Sequence, residues 1–229
     1  MITQNEINDR LHALKDNLII PSNHLTELIA RYVSLIEKWN RTYNLTAAKN
    51  SQQIFQHHVM DSLSVVSYVK GTQVVDVGSG AGFPGIVIAL AKPDWNISLI
   101  EANQKKASFL QQVKIELMLT NAKIIATRVE HFQPQHQINS IISRAFASLG
   151  DFISITQHLA PKGASSLDCQ WIAMKAHCST EELDQVQKPY VIKQNILLQV
   201  PGLEATRRLI VIEKLAEKDN SQFKQHLVH

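Results

Sequence analysis

A run of β-branched residues that breaks into closely spaced glycines constrains this chain more than any other feature. Residues 74–77 read Val-Val-Asp-Val, glycines stand at positions 78, 80, 82 and 85, and an apolar run covers residues 86–91. These features predict a buried strand, a tight turn and a helix that Pro84 can begin. A strand, a glycine-rich turn and a helix in this order are typical of a cradle for a nucleotide-like ligand.

The glycines fit two spacings, and each spacing predicts a different ligand. In the first, Asp76 precedes glycines at every second position, so the backbone can close around a small zwitterion whose ammonium the acid attracts. This spacing indicates S-adenosylmethionine. The second spacing, G-x-G-x-x-G from Gly80, matches a dinucleotide fingerprint, but it begins late after the strand, and Pro84 has no N–H to donate to a phosphate. The sequence therefore favours S-adenosylmethionine over a dinucleotide.

Acids also follow the next two predicted strands. Glu101 ends the second strand, where an acid accepts hydrogen bonds from ribose hydroxyls in either cofactor class; a solvent-facing acid is an equally good interpretation. After the third strand, Val129 can pack against an adenine ring while Glu130 hydrogen-bonds the base edge. An exposed, helix-initiating acid explains Glu130 nearly as well. These residues support an adenosine-containing ligand without choosing between the two cofactors.

The pattern of the whole chain predicts a doubly wound α/β fold with a mostly parallel sheet and additions. Residues 1–70 form a helical extension, with Ser51 as the cap of its third helix, residues 71–213 form the core, and residues 214–229 form a tail. Strands are predicted at residues 74–77, 97–100, 123–126, 139–143 and 171–174, and helices near residues 84–91, 105–119, 149–158 and 180–186. The runs at residues 191–200 and 208–212 are too close for a parallel crossover, so they predict an antiparallel closing pair.

Composition narrows the class of protein. A chain of 229 residues with 45% hydrophobic content can bury one substantial core. Its net charge is only +3, so any contact with nucleic acid would use a local basic patch. The two cysteines, Cys169 and Cys178, lack a CxxC spacing and fit a reducing compartment. The N-terminus has no signal-peptide pattern and no apolar run approaches about 20 residues, so we expect a cytoplasmic protein without a membrane contact.

Four segments carry a specific resemblance. They are KWNRTYNLT at residues 38–46, HVMDSL at 58–63, DVGSGAGFPG at 76–85 and ISRAFASL at 142–149. In this order they resemble the ribosomal small-subunit methyltransferase G family, also called glucose-inhibited division protein B, and the likeness extends through residues 207–212. The resemblance implies a class I methyltransferase fold. It also implies an enzyme that transfers the methyl group of S-adenosylmethionine to N7 of one guanine, conventionally position 527, in bacterial 16S rRNA and releases S-adenosylhomocysteine.

Site residues follow from the motifs and from the resemblance together. By resemblance, Gly78, Phe83, Val129, Glu130 and Arg144 match positions that contact the cofactor. The full predicted cofactor-binding set is Asp76, Gly78, Gly80, Gly82, Phe83, Glu101, Val129, Glu130 and Arg144. The implied partner is 16S rRNA, the small ribosomal subunit or its precursor, and the chain is taken to act as a monomer without a metal.

Motifs that are missing fit guanine N7 as the acceptor. Enzymes that methylate pyrimidine C5 need a nucleophile, usually cysteine, and neither cysteine follows the fourth strand. Enzymes that methylate an exocyclic amine commonly have an Asn/Asp-Pro-Pro-aromatic turn there, whereas residues 143–146 read Ser-Arg-Ala-Phe. Guanine N7 has a lone pair and no proton, so it needs no general base. We therefore assign Arg144 to positioning the substrate and expect Arg128 to be a second cation near it.

Other interpretations stay open at this point. His57, His58 and Asp61 lie close in sequence, but adjacent histidines project to different helix faces, so a hydrogen-bond pair of His58 and Asp61 is favoured over a metal site. Trp39 and Tyr43 can stack on an unpaired base or pack in the core. A cofactor-sensing, RNA-binding regulator without catalysis and an NAD-dependent oxidoreductase remain alternatives for the whole chain.

Overall fold

The computed structural model describes residues 2–14, 22–144, 146, 148–161 and 168–215. Its α-helices are α1 (Gln4–Ala13), α2 (Asn23–Tyr43), α3 (Ser51–Ile54), α4 (Met60–Leu63), α5 (Gly85–Ala91), α6 (Gln104–Glu116), α7 (Leu149–Thr156) and α8 (Thr180–Leu183). Its strands are β1 (Gln73–Val77), β2 (Asn96–Ile100), β3 (Ala122–Ile125), β4 (Ser140–Arg144), β5 (Gln170–Lys175), β6 (Tyr190–Leu198) and β7 (Arg207–Lys214). Within these ranges no helix is both long and apolar enough to cross a bilayer.

The seven strands form one sheet in the order β3-β2-β1-β4-β5-β7-β6. The first five strands pair in parallel, and β7 pairs antiparallel with both β5 and β6. This order reverses between β1 and β4, and open α/β sheets bind ligands outside the carboxyl ends of the strands at such a switch point. The predicted doubly wound class and the antiparallel closing pair are confirmed.

The helices before β1 share a core with the sheet. Ile29, Tyr32 and Ile36 of α2 are fully buried, and they belong to one hydrophobic cluster with residues of β1, α5 and α6. Full burial of a large apolar side chain contributes about 1.5–3 kcal/mol, so this stripe attaches α2 firmly to the core. The N-terminal helices are therefore held rigidly against the sheet.

The third predicted helix differs in detail from the structure. Its N-cap is Asn50, whose side chain accepts a hydrogen bond from Gln53 N, whereas Ser51 accepts one from Ile2 N at 3.0 Å. The predicted cap at Ser51 is therefore wrong by one residue. The helix also contains a π-helical turn, Phe55–Val59, between α3 and α4. The expected C-terminal tail beyond residue 215 lies outside the described residues.

Candidate active site

The turn after β1 leaves open space over two of its glycines. Gly78 and Gly80 have φ angles of 71° and 59°, in the left-handed region that glycine adopts most readily. A Cβ added to Gly78 would meet no atom within 4 Å, and one added to Gly80 would meet only the Gly78 carbonyl oxygen, at 3.9 Å. Because the protein does not fill this space, a ligand can approach the backbone closely.

The other two glycines of the turn are packed against protein. A Cβ on Gly82, which has a φ of 99°, would lie 2.7 Å from the Tyr32 hydroxyl. A Cβ on Gly85 would lie 2.6 Å from Asp76 Oδ2. Of the two open glycines, Gly78 belongs only to the first spacing and Gly80 belongs to both, whereas Gly85, which belongs only to the second spacing, is packed. Packing explains Gly82, and its expected contact with the cofactor stays a prediction.

Asp76 is fully buried beneath the turn. Its Oδ2 accepts a hydrogen bond from Gly85 N at 2.9 Å, while Oδ1 is buried without a hydrogen-bond partner among the described residues. Burial raises the pKa of this carboxyl to about 7. The structure gives Asp76 a part in holding the start of α5 against β1, and its expected attraction for a ligand ammonium stays a prediction.

Tyr32 of α2 also holds the turn. Its hydroxyl donates a hydrogen bond to the Ala81 carbonyl oxygen at 2.6 Å, and its ring lies 5.5 Å from that of Phe83. Periodicity alone places Tyr32 on the apolar stripe of α2 and reveals nothing of this polar contact. The long helix before the core thus contacts the glycine turn directly.

The carboxyl ends of β2 and β3 continue the crevice next to the turn. Glu101 follows β2, and its two oxygens accept hydrogen bonds from Gly80 N and Asn103 N, each at 2.8 Å. A carboxylate has lone pairs for about four such bonds, so Glu101 can also accept from ribose hydroxyls. Val129 is buried just after β3, whereas Glu130 is exposed. These positions fit the expected order of ribose and adenine along the sheet edge.

Arg144 ends β4 on the other side of the switch point. Its guanidinium lies over the ring of Phe83, with Cζ 4.9 Å from the ring centroid. Its Nη1 donates a hydrogen bond to His58 Nδ1 at 2.9 Å and lies 3.7 Å from Asp61 Oδ2. Burial lowers the pKa of Arg144, while Asp61 raises it. Arg144 is thus held by side chains from two separate segments of the chain, the helix that carries His58 and Asp61 and the glycine turn that carries Phe83.

His58 lies in the π-helical turn and is held through both ring nitrogens. Because Nδ1 accepts from Arg144, the proton is assigned to Nε2, which donates to Thr46 Oγ1 at 2.5 Å. Burial, followed by the Arg144 charge, lowers the pKa of His58 to about 3. The ring also lies 4.9 Å from that of Phe83. The imidazole is therefore a neutral partner for Arg144.

Asp61 joins Arg144 to the start of β7. Its Oδ1 accepts a hydrogen bond from Arg207 Nε at 3.1 Å, and its side chain is only 3% exposed. Burial raises the pKa of Asp61, and the two arginines act in the opposite direction. The expected pairing of His58 with Asp61 is replaced by separate contacts of both residues with Arg144. No local pattern reveals the link to Arg207.

Two other expectations have different outcomes. Arg128 is exposed after β3, and β2 and β1 lie between β3 and β4, so a backbone separation of roughly 14 Å follows from the spacing of strands. This strand order does not place Arg128 directly beside Arg144, and its expected role as a second cation stays a prediction. Trp39 packs between Phe109 and Tyr43, at centroid distances of 5.5 and 5.1 Å. This favours the packing interpretation for Trp39 and leaves Tyr43 on the surface, 41% exposed.

Known proteins of similar sequence identify the family of this chain. The family model for rRNA small subunit methyltransferase G matches residues 25–211. The chain belongs to this family. The ribosomal RNA small subunit methyltransferase G of Nitrosomonas europaea is 41% identical over 212 residues, which cover 93% of this chain and 98% of the relative. That of Laribacter hongkongensis is 43% identical over 183 residues, covering 80% and 86%. The predicted family is confirmed.

Solved structures of other proteins share the fold of this family member. Magnesium protoporphyrin IX methyltransferase from Synechocystis, solved with bound S-adenosylmethionine, matches with a TM-score of 0.57 at 14% identity, covering 80% of this chain and 97% of that one. TrmN from Thermus thermophilus matches with a TM-score of 0.52 at 15% identity, covering 69% of this chain and 48% of that one. Both likenesses concern the fold.

The crevice of this methyltransferase G family member fits an adenosine cofactor that carries an ammonium group. Open space over Gly78 accepts a ligand, the unpartnered Oδ1 of Asp76 lies beneath it, and Glu101 offers free lone pairs. Among the described residues, no group of three or more His, Cys, Asp or Glu is placed to hold a metal ion. Tyr32 and Thr46 were not predicted as parts of this site, although Thr46 lies inside a segment that carries the family resemblance.

Proposed function

We propose that this chain transfers the methyl group of S-adenosylmethionine to N7 of a guanine in bacterial 16S rRNA, at the position conventionally numbered 527. Membership of the rRNA small subunit methyltransferase G family carries the class of reaction. Within the site, the observation that carries the proposal is the placement of Arg144 over Phe83, beside the open glycine turn. Once it has lost its methyl group, the cofactor is released as S-adenosylhomocysteine.

S-adenosylmethionine supplies an electrophilic methyl group on a sulfonium. Toward this cofactor, Gly78 and Gly80 offer unobstructed backbone, and Glu101 accepts hydrogen bonds from the ribose hydroxyls. Val129 packs against the adenine and Glu130 contacts its edge. Phe83 forms the wall between the glycine turn and Arg144, where it touches both Tyr32 and His58.

Arg144 orients the target nucleotide so that N7 lies in line with the methyl group. Holding two reactants in such geometry contributes several kcal/mol toward lowering the barrier. Guanine N7 has no proton to lose, and His58, the imidazole nearest Arg144, has both nitrogens engaged by Arg144 and Thr46. This site is suited to positioning, and a general base is not required for the reaction.

The partner in this proposal is the small-subunit rRNA, free or within the subunit or its precursor, and the enzyme acts as a cytoplasmic monomer. Residues 1–70 form an extension that helps hold the RNA, and residues 71–213 form the catalytic core. Exposed cations Lys38, Arg41 and Lys49 lie on or just after α2, where they can meet phosphates. Both cysteines are free, which is compatible with a reducing compartment.

Methyl transfer to undermethylated rRNA tests this proposal. Small subunits from a strain that lacks the corresponding enzyme are incubated with the protein and labelled S-adenosylmethionine, and the modified base is mapped by mass spectrometry. We expect one labelled 7-methylguanine, absent with Arg144→Ala. RNA binding without methyl transfer would favour the regulator instead. Calorimetry that detects NAD but not S-adenosylhomocysteine would favour an oxidoreductase.

A further inference from the structure

We propose that His58 is a positioning residue that holds the Arg144 guanidinium against Phe83 in the orientation needed for methyl transfer. The inference rests on the proposed function, in which Arg144 orients the target nucleotide. The side chain of a partly exposed arginine has many rotamers. All but one of them must be excluded if the guanidinium is to position a substrate. The 2.9 Å hydrogen bond from Arg144 Nη1 to His58 Nδ1 selects one of them.

His58 is itself held from the opposite side. Its Nε2 donates to Thr46 Oγ1, and Thr46 is fixed in turn by Asn40, whose Oδ1 accepts from Thr46 N at 2.9 Å and whose Nδ2 donates to Thr46 O at 3.0 Å. The result is a continuous chain of hydrogen bonds from α2 to the end of β4. His58 is also part of the π-helical turn Phe55–Val59, a rare conformation that is frequently found at functional sites.

Asp61 does not perform the same task. Its nearest oxygen is 3.7 Å from Arg144 Nη1, beyond the length of a normal hydrogen bond, and its other oxygen is used by Arg207 at 3.1 Å. Asp61 thus balances the charge of two arginines, whereas His58 sets the direction of Arg144. A neutral Nδ1 with a free lone pair is required for this. Because arginine can only donate, its bond to Nδ1 fixes the tautomer with the proton on Nε2, and Nε2 then donates to Thr46 Oγ1.

Two substitutions at His58 separate its two contacts. The amide of asparagine lies the same number of bonds from Cα as Nδ1, so His58→Asn keeps an acceptor for Arg144. The amide of glutamine lies the same number of bonds from Cα as Nε2, so His58→Gln keeps only the partner of Thr46. We expect His58→Gln to lower kcat by about tenfold to a hundredfold, the value of one hydrogen bond to a charged group, and His58→Asn to stay within about threefold of wild type.

Neighbouring residues supply the controls. His57 is exposed, and His57→Asn and His57→Gln should leave kcat and KM unchanged. Thermal melting of every variant checks folding. Should the His58 variants fail to fold, Thr46→Val, which removes the hydroxyl that holds Nε2, is compared with Thr46→Ser, which keeps it. Only Thr46→Val should then lower kcat.

A double-mutant cycle tests whether His58 acts through Arg144. In an Arg144→Lys background, His58→Gln should cause little further loss of kcat. The lysine ammonium lies one bond closer to Cα than Nη1 and so stops short of His58 Nδ1, which leaves no contact for the second substitution to remove. Equal losses in His58→Asn and His58→Gln, or multiplicative losses in the cycle, would overturn the inference, since both would assign His58 a role independent of Arg144. An inactive wild type would overturn the proposed function instead.

Discussion

Alanine substitutions at Gly78 and Gly82 should affect different properties. The first should mainly weaken ligand binding, and the second should mainly lower stability. A Cβ on Gly78 meets open space, while a Cβ on Gly82 would lie 2.7 Å from the Tyr32 hydroxyl and 2.6 Å from the Ile86 side chain. Both positions have positive φ angles, which cost about 1–2 kcal/mol for alanine. Only Gly82→Ala adds the cost of overpacking, about 1–3 kcal/mol.

We therefore expect Gly82→Ala to lower the free energy of unfolding by about 2–5 kcal/mol and the melting temperature by roughly 10 °C. Gly78→Ala should lower stability by only about 1–2 kcal/mol. Its methyl group instead enters the space that the cofactor uses, so the Kd for S-adenosylhomocysteine should rise at least about tenfold. Urea unfolding and isothermal titration calorimetry measure the two quantities.

Gly150→Ala in α7 is the control, because this glycine is helical and a Cβ there would meet only side-chain atoms, the nearest being Gln185 Oε1 at 3.3 Å, so little loss of stability or affinity is expected. Normal affinity of Gly78→Ala for S-adenosylhomocysteine would refute the assignment of the open glycines to the cofactor. Equal unfolding free energies for Gly78→Ala and Gly82→Ala would refute the distinction between open and packed glycines.

Three further changes test other parts of the site. Tyr32→Phe leaves the buried Ala81 carbonyl without its donor, so urea unfolding should show a loss of about 1–3 kcal/mol; an unchanged midpoint would contradict this contact. The pKa of Asp76 is about 7 when folded and near 3.8 when unfolded, so the unfolding free energy should fall as pH rises through this window, and Asp76→Asn should flatten that slope. Equal slopes would count against the raised pKa. Tyr43→Ala should raise KM for rRNA several-fold with kcat unchanged in steady-state assays, and an unaltered KM would exclude base stacking there.

Much of the fold could be predicted because its elements have local causes. Every predicted strand is present, with ends that differ by one or two residues. The error at Ser51 arose because asparagine and serine are both good N-caps, so the sequence does not choose between Asn50 and Ser51. In the structure Asn50 caps the helix, and the Ser51 hydroxyl accepts from the distant Ile2 N instead. The π-helical turn was not predicted, since a 3.6-residue period does not distinguish one additional residue in a helix.

The candidate site was predicted less completely. Motifs identified Arg144 and the glycine turn, and the structure adds the side chains that hold them. The separation of β3, which precedes Arg128, from β4, which ends at Arg144, was not predicted, because the order of strands in the sheet differs from their order along the chain. In the sequence, Tyr32 lies on the apolar stripe of α2 and looks like any other core residue. Its hydroxyl meets the Ala81 carbonyl only because α2 packs on the turn.

The sequence by itself determined the α/β class, the family and the glycine turn, because hydrophobic periods and the backbone freedom of glycine act over a few neighbouring residues. The tertiary structure decided which glycines face open space and which face protein, and it placed His58, Asp61 and Arg207 around Arg144. Asp61 and Arg207 are 146 residues apart along the chain. Such contacts depend on the path of the whole backbone, and no local pattern in the sequence encodes them.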